Sequence, residues 1–292
     1  MSSPIRSIVA ASDFSLYAHR AARRAGLLAK THGATLQLVH VVDTSSLKSL
    51  LGQSVSPELP GRVLLEARHS LDSLADDVAR AGGIVTDCSL RDGGVIEEIL
   101  AAAAPSQLLV LGPRGLNPLR EFVIGSTAQR VARPIACPML IVKQDPTIPY
   151  ENVLVPVDFS PNSARALRFA ADMLPAATLH LFHALDYPLE AMLRRAGASD
   201  EAVADHRLQR LREANASMDE LVVGLDGHRV LTTVQPGDAR VLIDKRAADC
   251  RCTLIVMGKQ NRSWMLEHVL GSVTRLVLER AGCDVVVVPA SR

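Results

Sequence analysis

The sequence has few aromatic residues, almost no net charge and no long apolar run. Aromatic side chains make up 3% of the 292 residues, so we expect no base-stacking surface for single-stranded nucleic acid. The 32 basic and 31 acidic residues leave a formal charge of +1, which also argues against a nucleic-acid partner. No apolar run approaches the ~20 residues of a membrane span, so no membrane partner is expected.

Cysteine is scarce as well, and its number is odd. The cysteines are Cys88, Cys137, Cys250, Cys252 and Cys283. Free thiols favour a reducing compartment, and the N-terminal segment lacks the pattern of a signal peptide, so we expect a cytoplasmic protein. Neither the Cys-Arg-Cys run at 250–252 nor the nine histidines have the ligand spacing of a zinc site, so no metal site is predicted.

The chain is long enough for about two domains, and its halves repeat one pattern. An apolar run that ends in Asp13-Phe14-Ser15 returns as a run that ends in Asp158-Phe159-Ser160. The run CPMLIV at 137–142 likewise returns as CDVVVV at 283–288. We therefore predict two domains, 1–146 and 147–292, joined by the proline-bearing connector at 144–149.

Each half alternates apolar strand segments with helix segments. In the first half we predict a helix after Asp13, a polar loop at 43–60 that could cover a ligand, and helices at 62–81, 95–104 and 126–136. The predicted strands are 5–11, 35–42, 84–90, 108–111 and 139–142. Continuous apolar strands between helices predict an α/β fold in which each domain has a doubly wound, five-stranded parallel sheet.

A glycine-rich segment follows the predicted strand at 108–111. Gly112 and Gly115 leave that strand, and nine residues further on Gly125 precedes Ser126 and Thr127 at the start of a helix. Glycine lets the backbone approach a ligand closely, and the first turn of a helix offers amide protons to an anion. In doubly wound sheets, ligands bind at the carboxyl ends of the strands. The segment therefore predicts a phosphate cradle, with Asp13 facing the same crevice if the first and fourth strands are neighbours.

These motifs resemble the universal stress protein family, whose nucleotide-binding members carry G-2x-G-9x-G-[ST]. Gly112, Gly115, Gly125 and Ser126 fit that spacing, and the Ala-Ser-Asp-Phe-Ser run is also similar to the family. The resemblance covers nearly the whole chain twice. It implies a tandem protein of two Rossmann-like, adenine nucleotide alpha hydrolase-like domains, each with strand order 3-2-1-4-5.

The resemblance further implies that the first domain binds an adenine nucleotide, usually ATP, with or without magnesium. Asp13 would meet the adenosine, away from the glycine loop, and the backbone of Val41 would pair with adenine. Gly115 would give the phosphates access to the backbone, and Arg114 could add a charged fork. The implied binding residues are Ala11, Asp13, Val41, Leu111, Gly112, Arg114, Gly115, Gly125, Ser126 and Thr127.

The second half departs from this pattern. Asn261 stands where the first half has Gly115, and Val273 stands where it has Thr127. Lys259 and Arg262 could partly compensate by their charge. The remaining positions predict a weaker second site formed by Asp158, Ala184, Gly258, Gly271 and Ser272.

The function expected from these residues is a nucleotide-binding stress-response regulator without catalytic residues. The sequence has no G-x-x-x-x-G-K-[ST] loop and no dinucleotide-binding fingerprint, which argues against an efficient ATP-using enzyme. Two alternatives stay open: a slow ATPase, and an interaction scaffold whose pocket has decayed. In the latter case Asp13 and the glycines would serve only as helix caps and turns.

The last strand of each half is apolar and is expected at a sheet edge. Exposed edges need to be covered, so we predict that the strands at 139–142 and 285–288 join the halves as an intramolecular pseudo-dimer. A homodimer between chains is left open.

Overall fold

The computed structural model describes residues 5–51, 58–82, 84, 86–115, 124–187, 189–259 and 270–290. Strands and helices alternate through both halves of the chain. The strands are β1 Ser7–Ala11, β2 Thr35–Val42, β3 Thr86–Asp92, β4 Leu108–Leu111, β5 Met139–Ile141, β6 Asn152–Pro156, β7 Thr178–Leu185, β8 Arg229–Pro236, β9 Leu254–Gly258 and β10 Asp284–Val288. The helices are α1 Leu16–His32, α2 Thr44–Leu51, α3 Leu59–Gly82, α4 Val95–Ala103, α5 Ser126–Ala132, α6 Pro161–Met173, α7 Glu190–Arg195, α8 Asp200–Val222, α9 Ala239–Asp249 and α10 Ser272–Arg280.

All of these strands form one ten-stranded sheet. Its order is β3-β2-β1-β4-β5-β10-β9-β6-β7-β8, and within each half neighbouring strands are parallel. The predicted adjacency of the first and fourth strands is confirmed, since Ile8 of β1 pairs with Leu108 of β4. The two halves meet where β5 and β10 pair antiparallel, with Val285 opposite Ile141. The strands of the two halves therefore run in opposite directions.

The hydrophobic core lies on both faces of this sheet. Along β1, Ile8 and Ala10 pack in one buried cluster while Val9 and Ala11 pack in another, as the two-residue repeat of a strand requires. Both clusters contain residues from both halves of the chain. The core is therefore continuous across the junction between β5 and β10.

Several predicted bounds differ in the structure: the strand predicted at 84–90 spans Thr86–Asp92, the strand predicted at 5–11 begins at Ser7, and the helix predicted at 62–81 spans Leu59–Gly82. Two further differences are larger. The segment predicted as a polar loop at 43–60 contains α2, which starts after Asp43. Asp43 Oδ1 accepts from Ser46 N at 2.8 Å, and hydrogen bonds from Ser46 and Ser45 lower the pKa of Asp43 to about 2. The helix predicted at 126–136 ends at Ala132. Pro134 has no amide proton, so it cannot continue the helical hydrogen bonds.

A buried polar network holds the connector between the halves. Asp284 is fully buried, and its Oδ1 accepts from Lys143 N at 2.7 Å and Gln144 N at 2.9 Å. Its Oδ2 accepts from the Tyr150 hydroxyl at 2.5 Å, and the Arg24 guanidinium lies 4.2 Å from the centre of the Tyr150 ring. Burial raises the pKa of Asp284 above its usual range. These contacts fix the path of the chain from β5 into the second half.

None of the helices in the described part of the chain has both the length and the apolarity needed to cross a membrane.

Candidate functional site

A cavity of about 590 Å³ opens at the carboxyl ends of β1 and β4. Its volume lies in the usual range for small-molecule sites. The structure brings all the residues predicted for the first site to the lining of this cavity. These residues are Ala11, Asp13, Val41, Leu111, Gly112, Arg114, Gly115, Gly125, Ser126 and Thr127.

A tight turn between β1 and α1 places the Asp13 carboxylate in the cavity. Asp13 Oδ1 accepts from Ser15 N at 3.1 Å, and Ser15 Oγ caps α1 by accepting from Ala18 N at 3.2 Å. Between them, Phe14 has a φ of 62°, in the left-handed region that a bulky residue rarely occupies. Asp13 is thus held by a strained backbone, and the helix cap is provided by Ser15.

His40 supports this turn from the end of β2. Its ring stacks on the Phe14 ring with the centroids 4.2 Å apart, and its Nδ1 lies 2.7 Å from the Ser12 carbonyl oxygen. His40 also lines the cavity. These contacts give His40 a positioning role at the end of the strand.

Each glycine of the loop has a different steric reason to be glycine. A Cβ on Gly112 would lie 3.0–3.1 Å from backbone and Cβ atoms of Tyr17, so this glycine lets β4 pack closely against α1. A Cβ on Gly115 would lie too close to Asp13 Oδ2, so the end of this flexible carboxylate side chain would have to shift. The expectation that the aspartate lies away from the glycine loop is therefore wrong. Because β1 and β4 are neighbours, their carboxyl ends bring the two groups together.

Gly125 closes the loop on its other side. Its amide donates to the Pro113 carbonyl at 2.7 Å, so this amide ties the two ends of the loop together and does not point at a phosphate. The first two residues of α5, Ser126 and Thr127, are exposed and line the cavity. Amides in the first turn of a helix have no intrahelical partner, so they and the two hydroxyls can donate to an anion. The half-buried side chain of Arg114 adds a positive charge to this side of the cavity.

Sequence reasoning missed the apolar wall of the cavity. Val39 of β2 and Val95 and Ile99 of α4 line it together with the loop. Val95 and Ile99 are spaced by four residues at the start of α4, which follows β3 at the same edge of the sheet. This four-residue spacing of apolar residues, on a helix that begins at the ligand-binding edge of the sheet, was the sequence signal for the apolar wall.

A second cavity of about 440 Å³ lies at the carboxyl ends of β6 and β9. The residues predicted for the weaker second site all line it, namely Asp158, Ala184, Gly258, Gly271 and Ser272. Phe159 has a φ of 63°, and its ring lies 4.3 Å from the ring of His183. The second half therefore repeats the strained turn and its histidine support. Asn261, which replaces the second glycine of the loop, lies outside the described residues.

The expectation that Lys259 compensates for the altered loop is wrong. The side chain of Lys259 is 3% exposed and donates to the carbonyl oxygen of Arg133, at the end of α5 in the first half. It does not line the second cavity. Its charge therefore serves the contact between the two halves.

Comparison with known proteins identifies the family. The model of the universal stress protein family matches residues 4–143 and again residues 149–289. The chain belongs to the universal stress protein family. It carries two copies of the family domain in tandem, and its α/β sheet is the Rossmann-like sheet of that family.

Several relatives support this assignment. A universal stress protein of Mycolicibacterium smegmatis is 24% identical over 288 residues, which cover 96% of each chain. A universal stress protein of Thermus aquaticus is 34% identical over 140 residues, which cover 47% of this chain and 98% of its own. The crystal structure of a universal stress protein from Archaeoglobus fulgidus has a TM-score of 0.72 at 22% identity. The match covers 97% of this chain and 98% of the other.

The described residues of this universal stress protein hold no cluster of three or more histidine, cysteine, aspartate or glutamate side chains suited to a metal ion. Two histidines of β7 have separate partners, because His180 Nε2 lies 3.2 Å from Asn152 Oδ1 and His183 Nδ1 lies 2.8 Å from the Val157 carbonyl. The cysteines have free thiols.

Proposed function

We propose that this universal stress protein is a nucleotide-binding regulator that holds ATP in the cavity of its first half. The observation that carries the proposal is the convergence on one cavity of the aspartate turn, the glycine loop and the start of α5. A carboxylate accepts hydrogen bonds from ribose hydroxyls, while amides, hydroxyls and an arginine donate to phosphates. The cavity thus has one end for a sugar and another for phosphates.

The closeness of Asp13 to Gly115 favours one direction for the nucleotide. Phosphates beside the Asp13 carboxylate would be repelled, because like charges at short range disfavour each other. The phosphate chain therefore runs toward Arg114, Ser126 and Thr127, and Gly115 faces the ribose. The base then lies against the apolar wall and the backbone of Val41 at the end of β2.

Magnesium fits this arrangement only as an ion that arrives with the nucleotide. Mg²⁺ is commonly bound through one or two carboxylates together with substrate phosphates. Asp13 is the one carboxylate among the described residues that line the cavity. A magnesium ion bound to the phosphates would also reduce their repulsion by this carboxylate.

Regulation by occupancy is favoured over catalysis. Phosphoryl transfer needs a positioned nucleophile and metal ligands. Apart from Asp13 and His40, the described lining residues offer no acid or base, and His40 is engaged with Phe14 and Ser12. Hydrolysis is therefore expected to be slow, and steady turnover above ~1 s⁻¹ would show that the protein is an enzyme.

Calorimetric titration of the full chain with ATP tests the proposal. We expect Gly115→Val to weaken ATP binding at least tenfold, about 1.4 kcal/mol, because its side chain meets Asp13 at the ribose end. Gly282→Val is the matched control, since a Cβ there would have nothing within 4 Å. Circular dichroism should show both variants folded like the wild type.

Two results would contradict the proposal. Equal ATP affinity in Gly115→Val and Gly282→Val would remove the glycine loop from the site. Failure of the wild-type chain to bind ATP at millimolar concentration, with or without Mg²⁺, would favour the scaffold alternative.

A further inference from the structure

The cavity of the second half keeps the aspartate end of the first cavity. Asp158 Oδ1 accepts from Ser160 N at 3.1 Å and from Ser160 Oγ at 2.6 Å. His183 holds the turn as His40 does, with its Nδ1 2.8 Å from the Val157 carbonyl. A bulky residue in the left-handed region is strained, and such strain tends to occur at functional sites. The second half has this strained backbone at Phe159.

The phosphate end is repeated only in part. Among the described residues that line the second cavity, the ionisable side chains are Asp158 and His183, and none is a lysine or an arginine. Val273 takes the place of Thr127, Lys259 is directed to the first half, and Arg262 lies outside the described residues. A triphosphate here would lose its hydration next to a carboxylate without gaining a lysine or arginine from the described lining, which is strongly unfavourable.

The rest of the lining suits an uncharged ligand. Phe182, Ile243 and Met257 form a buried apolar wall, with exposed fractions of 1%, 2% and 5%. Ser272 at the start of α10 adds a hydroxyl to the side of the cavity where phosphates would otherwise lie. An apolar wall with a few polar groups at its rim is the usual composition of a small-molecule site.

We infer that the second cavity binds an uncharged nucleoside and excludes nucleoside triphosphates. The sugar hydroxyls bind the Asp158 carboxylate, and the base packs on the wall formed by Phe182, Ile243 and Met257. The inference rests on the proposed function in one respect, namely that the aspartate end of the fold takes a ribose. It assigns a charged nucleotide to the first half and an uncharged nucleoside to the second half.

The test uses the full chain with the first cavity closed by Gly115→Val together with Val41→Phe, whose larger side chain fills that cavity. Calorimetry on this double variant with adenosine and with ATP should show one adenosine bound per chain and an ATP affinity at least 100-fold weaker. Adding Ala184→Phe, which fills the second cavity, should abolish adenosine binding. Adding Gly282→Val instead is the control and should leave adenosine binding unchanged, since a Cβ there would have nothing within 4 Å.

Asp158→Ala, also made in the double variant Gly115→Val with Val41→Phe, gives a second readout that does not alter the core. The Asp158 side chain is exposed, so the variant should fold, and adenosine affinity should fall at least tenfold. Absence of adenosine binding in the double variant overturns the inference. Adenosine binding that survives Ala184→Phe, or ATP binding as tight as adenosine binding, also overturns it.

Failure of the proposed function has a different signature. A wild-type chain that binds no ATP, but binds adenosine in a manner sensitive to Ala184→Phe, would refute the ATP site of the first half alone. A chain that binds ATP through the first cavity, but binds no adenosine once that cavity is closed, would refute the inference alone.

Discussion

Phe14 and Phe159 adopt left-handed backbone conformations at equivalent places in the two halves, with φ angles of 62° and 63°. In each case the strained residue directly follows the aspartate that lines the cavity, and its ring packs against a histidine. The histidine in turn contacts a carbonyl oxygen of the preceding strand end. Ring packing and this contact therefore maintain an unfavourable backbone that aims a carboxylate at the cavity.

Glycines at the ends of β4 and β9 allow close packing against a helix, and this leads to a prediction about stability. A Cβ on Gly258 would lie 2.5 Å from the Asn162 carbonyl oxygen, whereas a Cβ on Gly112 would lie 3.0 Å from the nearest Tyr17 backbone atom. We expect Gly258→Ala to lower the free energy of unfolding by ~1–3 kcal/mol, and Gly112→Ala to lower it by less. Urea-induced unfolding measures both.

Gly61→Ala provides the control for these variants. Gly61 lies in α3 with nothing within 4 Å of its Cβ position, so alanine there should stabilise the protein by up to ~1 kcal/mol. A larger loss of stability in Gly112→Ala than in Gly258→Ala would contradict the steric explanation.

At the scale of elements, the buried strands were predictable and the polar helix was not. β2 and β4 have the predicted bounds. Strands in a sheet covered on both faces are largely apolar, so their apolar runs indicate where they begin and end. The segment of α2 is mostly polar, so its hydrophobic pattern did not indicate a helix; its only signal was Asp43 as a helix cap. The end of α5 was signalled by Pro134, which the prediction overlooked.

The sequence predicted which residues meet at the first cavity, and it did not predict their geometry. Spacing along the chain identified Gly112, Gly115 and Gly125 as members of one loop, and all three line the cavity. The contact of Gly115 with Asp13 and the hydrogen bond from Gly125 to Pro113 depend on distances across the loop. A sequence pattern carries no such distances. The same holds for Lys259, whose position in the loop suggested the cavity while its side chain reaches the other half.

A buried lysine after β5 should make the free energy of unfolding rise with pH in the alkaline range. Lys143 follows this strand, and its Nζ donates to the Ala281 carbonyl at 2.7 Å. Burial lowers the pKa of Lys143 from 10.5 to about 8. Between these values the unfolded chain binds more protons than the folded chain, so stability rises with pH. Below pH 8 both states hold the proton, and the full cost of burying the charge is present.

Lys143→Met removes this group and serves as the reference. The free energy of unfolding of the wild type minus that of Lys143→Met should be flat from pH 6 to 7 and should rise from pH 8 to 10.5. This rise in the difference is at most ~1.4 kcal/mol for each pH unit by which the pKa of Lys143 is lowered. Partial exposure of the side chain reduces it further. The neighbouring Cys283 does not titrate in this window, because burial raises its pKa to about 12. A difference that falls over this range would show that the lysine is stabilised as a cation.

At the scale of the whole molecule, the continuous sheet and shared core couple the two halves. Both buried clusters cross the junction, and the Asp284 network holds the connector against it. ATP bound in the first half should therefore slow hydrogen exchange in β6 as well as in β1. At 100 times its dissociation constant, ATP stabilises the folded state by ~2.7 kcal/mol.

Hydrogen exchange read by mass spectrometry checks this coupling. We expect the slowest amides of both halves to gain the same protection from ATP, since they exchange through the same global unfolding. Protection confined to the first half would show that the halves unfold independently in spite of their shared sheet.

The antiparallel join of β5 and β10 also decides where small molecules enter. Since the carboxyl ends of the strands point one way in the first half and the opposite way in the second, the mouths of the two cavities open at opposite edges of the molecule. A ligand in one cavity would therefore be reached from the edge opposite to that of a ligand in the other, and a partner protein that covered one mouth would leave the other open to solvent.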